Sequence, residues 1–264
     1  MTSKFYQSQK TKTNVMKKLT ILDTFSGIGG FSYAAERLVG GFETKQFVEN
    51  NPYCQKILKK HFPTVPIHDD IRTYSAKPFQ FDLLCGGFPC QDISVAGQRK
   101  GITEETRSGL FFELVRLIRL VRPKYILLEN VAAILNDGLD IVLGQLSEAG
   151  YDAEWSIISA QQRGACHKRE RIWIIAYPMC KRLQGRRGKF KLQKNSGERQ
   201  IIWRSQPHLL NPNWKGYLSQ PTVCRGNDGL SNRVDRLRAL GNSIVPAVAT
   251  IPLGRILDLE NYEH

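Results

Sequence analysis

Residues 18–30 have the sequence KLTILDTFSGIGG, a short apolar run followed by a glycine-rich turn. The run over 18–25 predicts a buried strand, because short apolar runs bounded by turn residues are typical of parallel sheets. Glycine lets the chain turn sharply, and the apolar pattern over 31–39 predicts a helix after the turn. We therefore interpret this stretch as the first strand, turn and helix of an α/β domain.

The alternation of strand and helix continues along the chain. Apolar runs predict further strands and helices, with the strands at 44–49, 81–85 and 125–129 and the helices at 51–61, 110–121 and 139–149. This spacing predicts a doubly wound, mostly parallel sheet. Two more predicted strands, 154–159 and 171–177, have no helix between them, so we expect an antiparallel pair at one edge. A last helix is predicted at about 244–259.

The charge of the chain is concentrated in two segments. The 264 residues include 38 Lys and Arg and 24 Asp and Glu, for a net charge of +14. Residues 1–18 carry +5 and residues 181–215 carry +9, so the rest of the chain sums to zero. Such an excess favours a polyanionic partner, nucleic acid first and an acidic membrane surface second.

The sequence gives no sign of secretion or of a metal site. No run of 18 or more apolar residues occurs, and no apolar segment follows the Lys-rich start, so we expect no membrane association. The six cysteines form no CxxC pairs. We expect reduced thiols, no bound metal and a cytoplasmic protein.

Ligands of open parallel sheets bind beyond the carboxyl ends of the strands. After the first strand, glycines at 27, 29 and 30 allow close approach of a ligand, but Ser32 stands where a nicotinamide-binding fingerprint needs its third glycine. Glu49 follows the second strand, at a position suited to ribose hydroxyls, and Asp70 follows a short third strand that we expect between the helix at 51–61 and this acid. Acids at these positions favour a nucleoside over a pyrophosphate.

Two reactive groups follow the next two strands. Cys90 follows Pro89 in a Gly-rich turn, where a thiolate near a helix N-terminus is stabilised as a nucleophile. The alternative is a small buried apolar side chain, and that interpretation is given to the other cysteines, Cys54, Cys85, Cys166, Cys180 and Cys224. Glu129 ends the fifth strand as either a hydrogen-bonded buried carboxylate or a proton donor of raised pKa.

The order of these motifs resembles the cytosine C5 DNA methyltransferase family. The glycine turn and the two acids precede Phe-Pro-Cys-Gln at 88–91 and Glu-Asn-Val at 129–131. Arg169-Glu-Arg171 and Leu-Gly-Asn-Ser at 240–243 follow. The resemblance extends from Leu19 to about Leu257. The segment 178–230, at the place of the target-recognition region, is much shorter than in typical members.

The resemblance implies a covalent mechanism. The thiolate of Cys90 would add to C6 of a flipped-out cytosine while Glu129 hydrogen-bonds or protonates N3. Arg171, and with it Arg169, would contact O2 and support Glu129, and C5 would take the methyl group of S-adenosyl-L-methionine. Residues 91–108 would form a loop that closes over the base. The cofactor pocket implied by the same matching comprises Phe25, Ser26, Gly27, Gly29, Gly30, Glu49, Asp70, Ile71, Pro89, Leu110, Asn242 and Ser243.

The resemblance also implies a domain organisation and partners. Its parts would be a basic tail, a catalytic domain, a short basic target-recognition region and a returning C-terminal segment, at 1–18, 19–177, 178–230 and 231–264. The substrate would be double-stranded DNA and the enzyme a monomer, with a cognate restriction endonuclease or an auxiliary specificity subunit as a further partner. Three alternatives stay open: a catalytically silent DNA-binding relative, an RNA cytosine-5 methyltransferase of the same fold and, least favoured, a nicotinamide oxidoreductase.

Overall fold

The computed structural model describes residues 17–89, 110–136, 138–179 and 233–261. These residues form the strands β1 Leu19–Thr24, β2 Phe42–Val48, β3 Ile67–His68, β4 Leu83–Gly87, β5 Tyr125–Val131, β6 Tyr151–Ser159 and β7 Glu170–Pro178. The helices are α1 Gly30–Tyr33, which continues as a π-helical segment Ala34–Val39, α2 Pro52–His61, α3 Leu110–Val121, α4 Leu139–Glu148, α5 Arg233–Asn242 and α6 Pro246–Asn261. Two 3₁₀ segments, Ala132–Leu135 and Ala160–Arg163, follow β5 and β6.

The strands form one sheet in the order β3-β2-β1-β4-β5-β7-β6 within the described ranges. Neighbours from β3 to β5 are parallel, whereas β7 is antiparallel to both β5 and β6. The last strand in sequence is thus inserted between its two predecessors. The predictions of a mostly parallel, doubly wound sheet and of an antiparallel edge pair are confirmed.

Apolar layers cover both faces of the sheet. Leu22, Leu84 and Ile126 pack with α3 and α4 on one face. Ile21 and Leu83 pack with α1 and α6 on the other. Neighbouring residues of one strand point to opposite faces, so the continuous apolar runs of the sequence correspond to strands buried on both sides.

The C-terminal helix α6 belongs to this domain although more than fifty residues outside the described ranges precede α5. Its Arg255 forms an ion pair with the buried Glu154 of β6, with Nε 2.8 Å from Oε1. The stretch Ala239–Asn261 is long and apolar enough to cross a membrane, since one 18-residue window within it has a mean hydropathy of 1.3. Core helices meet the same criterion, and Ile251, Leu253 and Ile256 of this stretch are buried against the sheet.

Two details differ from the sequence predictions. Helix α5 is not predicted, because its sequence RVDRLRALGN is dominated by polar residues and shows little apolar periodicity. Cys54 and Cys85 are buried as predicted, but Cys166 is exposed, and the prediction of a buried thiol is wrong there. Cys166 lies in the turn that precedes β7, where the backbone follows the surface. Cys180 and Cys224 lie outside the described residues.

Candidate active site

The glycine turn after β1 is held by Glu49, the first residue after β2. Oε2 of Glu49 accepts a hydrogen bond from the amide of Gly27 at 2.7 Å, and Oε1 accepts from the amide of Asn51 at 2.8 Å. Asn51 in turn caps α2, and its Oδ1 accepts from the amide of Tyr53. Burial raises the pKa of Glu49. Its carboxyl group is therefore fixed beside the turn by backbone amides.

The glycines of the turn have different surroundings. Gly27 has a positive φ of 53°, and a Cβ at this position would meet no atom of the described residues within 4 Å, so within that part of the chain open space lies above the turn. At Gly30 a Cβ would lie 2.6 Å from Cγ1 of Ile244. Phe25 has the unusual φ of 51° for a residue that is not glycine. Positive φ at such a residue costs of order 1–3 kcal/mol and is concentrated at functional sites.

The second acid of the predicted pocket, Asp70, lies just past the end of β3. The amide of Glu49 donates to the carbonyl of His68, which brings the two strand ends together. Arg72 donates to both carboxyl oxygens of Asp70, at 2.8 Å from Nη2 to Oδ2, and holds the pKa of Asp70 below its usual value. The neighbouring Ile71 is buried. The structure thus places both acids at the same sheet edge as the glycine turn.

Glu129 lies at the carboxyl end of β5 and is 8% exposed. Its Oε1 is 3.0 Å from Nε of Arg171 on the neighbouring strand β7. Burial raises the pKa of Glu129 to about 7, and the positive charges of Arg171 and Arg169 oppose that rise. Burial thus favours the protonated form of this carboxyl group, whereas the two arginines favour its ionised form.

The chain segment that leads to Cys90 is attached to the same strand end. Gly87 pairs with Glu129 across β4 and β5, and Nδ2 of Asn130 donates to the carbonyl oxygen of Phe88 at 3.1 Å. Pro89 follows directly. Cys90 and the predicted loop 91–108 lie outside the described residues, and so do the basic tail up to residue 16 and the target-recognition region from 180 to 232.

The two arginines that flank Glu170 have different partners. Arg171 is paired with Glu129, whereas Nη2 of Arg169 donates to the carbonyl oxygens of Gly241 at 2.8 Å and Ser243 at 2.7 Å. The residue between these two carbonyls, Asn242, is exposed. The motif at 240–243 thus lies at the end of α5, beside the start of β7.

Two features of the site are not predicted from the sequence. Asp23 on β1 is fully buried, and its Oδ2 accepts from Oγ of Ser32 at 2.6 Å, while Oδ1 has no hydrogen-bond partner in the part of the chain that the structure describes. Burial raises the pKa of Asp23 to about 7. The sequence signal that could have indicated a buried acid is the position of Asp23 inside the apolar run 19–25. The second feature is Gly87, where a Cβ would lie 3.0 Å from Oε2 of Glu129, a clearance that no sequence pattern indicates.

The sheet and the groups at its carboxyl edge define a Rossmann-like protein of the class I methyltransferase type. Among solved structures it is similar to Dnmt2 methyltransferase of S. pombe, with a TM-score of 0.52, 26% identity, and coverage of 61% of this chain and 51% of that one. The fold is also that of the Entamoeba histolytica methyltransferase EhMeth, with a TM-score of 0.53, 20% identity, and coverage of 72% and 58%.

The chain belongs to the C-5 cytosine-specific DNA methylase family, whose model matches residues 19–220. It is 37% identical over 177 residues to the type II methyltransferase M.HpaII of Haemophilus parainfluenzae, covering 64% of this chain and 48% of the relative. With M.HhaI of Haemophilus parahaemolyticus the identity is 32% over 170 residues, covering 63% and 51%. The chain spans about half the length of these curated relatives.

Proposed function

We propose that this protein is a DNA (cytosine-5-)-methyltransferase that transfers a methyl group from S-adenosylmethionine to a flipped-out cytosine. The observation that supports this most strongly is the buried carboxyl group of Glu129. It is paired with Arg171 and lies beside the Gly87-Phe88-Pro89 segment that leads to Cys90. Membership of the cytosine-5 methylase family supports the same reaction.

The residues at the carboxyl edge fit the methyl donor. The space above Gly27 admits a ligand against the backbone, and the carboxyl oxygens of Glu49 beside it are placed to accept from ribose hydroxyls. Asp70 adds a second acceptor at the same edge. When bound, S-adenosylmethionine supplies an electrophilic methyl group. The remaining predicted pocket residues, Phe25, Ser26, Gly29, Gly30, Ile71, Pro89, Leu110, Asn242 and Ser243, stay part of this proposal.

The nucleophile in this proposal is Cys90. A free thiol has a pKa of about 8.5, so a few per cent is thiolate at neutral pH, and that form is a strong nucleophile. Its sulfur forms a bond to C6 of cytosine, and the electron pair of the C5–C6 double bond moves into the ring towards N3 and O2. C5 becomes nucleophilic and takes the methyl group that the cofactor would supply, with S-adenosylhomocysteine as the leaving product. A water molecule then accepts the C5 proton, the electron pair of the C5–H bond re-forms the C5–C6 double bond, and the C6–S bond breaks to release the thiolate and restore the aromatic ring.

Glu129 stabilises the charge created by this attack. In its protonated form the carboxyl group donates to N3, and a pKa of about 7 keeps that form populated at neutral pH. Arg171 holds the carboxyl group in place and supplies positive charge for O2. A base must leave the duplex to reach these groups, at a cost of a few kcal/mol.

The net charge of +14 supports nucleic acid as the substrate. We propose duplex DNA because the family model and the type II relatives carry that assignment in their names. The same relatives suggest a cognate restriction endonuclease, whereas the related M.SPRI of Bacillus phage SPR is called an orphan methyltransferase. A monomer in the cytoplasm remains our proposal.

The test is transfer of a radiolabelled methyl group by the purified protein to duplex DNA and, in parallel, to tRNA. We expect label in DNA at C5 of cytosine and none with the Cys90→Ser variant, which should still bind S-adenosylmethionine. Label in tRNA alone would replace the proposed substrate. Wild-type turnover in the Cys90→Ser variant would overturn the assigned nucleophile, and cofactor binding with neither product would favour a silent DNA-binding relative.

A further inference from the structure

Arg169 joins two segments that are far apart in sequence. The residue directly precedes β7, and its Nη2 donates to the carbonyl oxygens of Gly241 and Ser243. These oxygens lie at and just beyond the C-terminal end of α5, where unpaired carbonyls and the helix dipole favour a cation. One guanidinium thus binds the carbonyls on either side of Asn242, the last residue of the helix.

The backbone of Arg169 is itself strained. Its φ of 34° is positive, a conformation that residues other than glycine avoid. Strain of this kind costs of order 1–3 kcal/mol and persists only where surrounding contacts determine it. Such contacts lie on either side of Glu170. Before it, Arg169 makes its two hydrogen bonds to carbonyl oxygens, and after it, Arg171 forms the ion pair with Glu129.

The segment held by Arg169 also touches the glycine turn. Ile244 is 9% exposed, and its Cγ1 lies where a side chain at Gly30 would begin. Oγ of Ser243 lies 3.4 Å from the same position. The segment 241–244 therefore runs from the Arg169 guanidinium to the glycine turn, whose Gly27 borders the open space.

Arg169 is also electrostatically connected to the acid at the end of β5. Its positive charge and that of Arg171 both act on Glu129. Arg171 makes the direct ion pair, whereas the Nη2 of Arg169 is engaged by backbone carbonyls. The two arginines thus have separate tasks, although they are only two residues apart.

We infer that Arg169 is a positioning residue that holds the segment 241–244 against the glycine turn and thereby fixes Asn242 over the S-adenosylmethionine site. The inference rests on the proposed function, and it gives Arg169 a different role from the direct contact with cytosine O2 expected from the sequence. Without the guanidinium, two backbone carbonyls lose their partner and Asn242 loses its fixed position.

The test is a double-mutant cycle on S-adenosylmethionine binding to the full-length protein, measured by isothermal titration calorimetry without nucleic acid. We expect Arg169→Ala and Asn242→Ala each to raise Kd about tenfold, a loss of the size of one or two hydrogen bonds. The double variant should bind S-adenosylmethionine with nearly the same Kd as the single variant of lower affinity, because both changes remove the same interaction. Arg169→Lys should restore part of the affinity, since an ammonium group also donates to carbonyls.

Arg163→Ala is the matched control. This arginine also anchors the C-terminal segment, since its Nε donates to the carbonyl oxygen of Ala247 and its Nη2 to Oγ1 of Thr250. The Arg163→Ala variant should have a lower free energy of unfolding and an unchanged Kd for S-adenosylmethionine. Its effect on Kd should add to that of Asn242→Ala without coupling. Coupling of equal size at Arg163 would overturn the specific role of Arg169, because it would show general loosening of α6.

The outcomes separate the inference from the proposed function. A wild-type protein that fails to bind S-adenosylmethionine would contradict the proposed function and remove the basis of the inference. Wild-type binding that persists at full strength in Arg169→Ala, or purely additive effects with Asn242→Ala, would overturn the inference alone. A selective and non-additive loss supports it.

Discussion

Gly87 and Glu129 pair across β4 and β5, and a Cβ at position 87 would lie 3.0 Å from Oε2 of Glu129. The missing side chain leaves the space in which the carboxyl group turns towards Arg171. The glycine immediately before it has a different surrounding, because a Cβ at Gly86 would lie 2.4 Å from Oγ1 of Thr24. Gly87 thus leaves room for the carboxyl group of Glu129, and Gly86 allows β1 and β4 to pack closely.

Gly87→Ala should reduce the rate of methyl transfer more than it reduces stability. The added methyl group pushes the carboxyl group of Glu129 away from Arg171, and small displacements of catalytic groups cost about 10²-fold in rate. Gly86→Ala is the contrasting variant, and we expect it to cost about 1–3 kcal/mol of unfolding free energy through overpacking. Single-turnover methylation and urea unfolding of both variants measure the two effects. Equal loss of stability in the two would contradict the distinction.

Glu129→Gln should lower the rate by about two to four orders of magnitude, the usual contribution of a positioned acid. An amide cannot transfer a proton to N3, yet it has the shape and hydrogen-bonding capacity of the carboxyl group. Affinity for duplex DNA should change little, which a fluorescence-anisotropy titration measures alongside the rate. A parallel loss of DNA affinity would make Glu129 a structural residue.

Gly30→Ala should destabilise the fold by about 1–3 kcal/mol, because its Cβ would lie 2.6 Å from Cγ1 of the buried Ile244. Gly254→Ala is the control in α6, since a Cβ there meets none of the described residues within 4 Å. That variant should stabilise the helix by about 0.4–1 kcal/mol. Urea unfolding monitored by circular dichroism checks both values. Stabilisation by Gly30→Ala would show that Ile244 does not pack on the turn.

Asp23→Asn should change how stability depends on pH. Because the pKa of Asp23 rises from 3.8 to about 7 on folding, the folded state binds this proton more tightly than the unfolded chain. The associated stability is fully present below pH 3.8 and is lost as pH rises to about 7. The difference in unfolding free energy, variant minus wild type, should therefore increase with pH over this window, by up to about 1.4 kcal/mol per unit.

The measurement for Asp23 is a series of urea unfolding curves between pH 5 and 8 at constant ionic strength. We expect Glu129 to titrate alike in both proteins, because Asp23 is not among the groups that act on it, so the difference between the two proteins isolates Asp23. Ser32→Ala should raise the pKa of Asp23 further, since the Ser32 hydroxyl donates to the carboxylate. Parallel curves for Asp23→Asn and the wild type would contradict this account.

The sequence predicts the sheet well because its strands are buried on both faces and the turns between them carry clear signals. The placement of Glu49 and Glu129 at one sheet edge follows from the sequence pattern, since the carboxyl ends of parallel strands meet there. The Arg169 contact could not be predicted, because it joins residues 72 and 74 positions apart through backbone carbonyls. The role of Gly87 depends on a clearance between two strands, which only the pairing register shows.

The most direct test of the proposed function is to express the protein in a host that lacks cytosine-5 methylation and to map 5-methylcytosine by bisulfite sequencing. The wild-type protein should methylate a discrete DNA motif, and Cys90→Ser, expressed at the same level, should leave it unmethylated. An unmethylated genome in the presence of folded protein that binds S-adenosylmethionine would contradict the assignment of duplex DNA as the substrate of this chain.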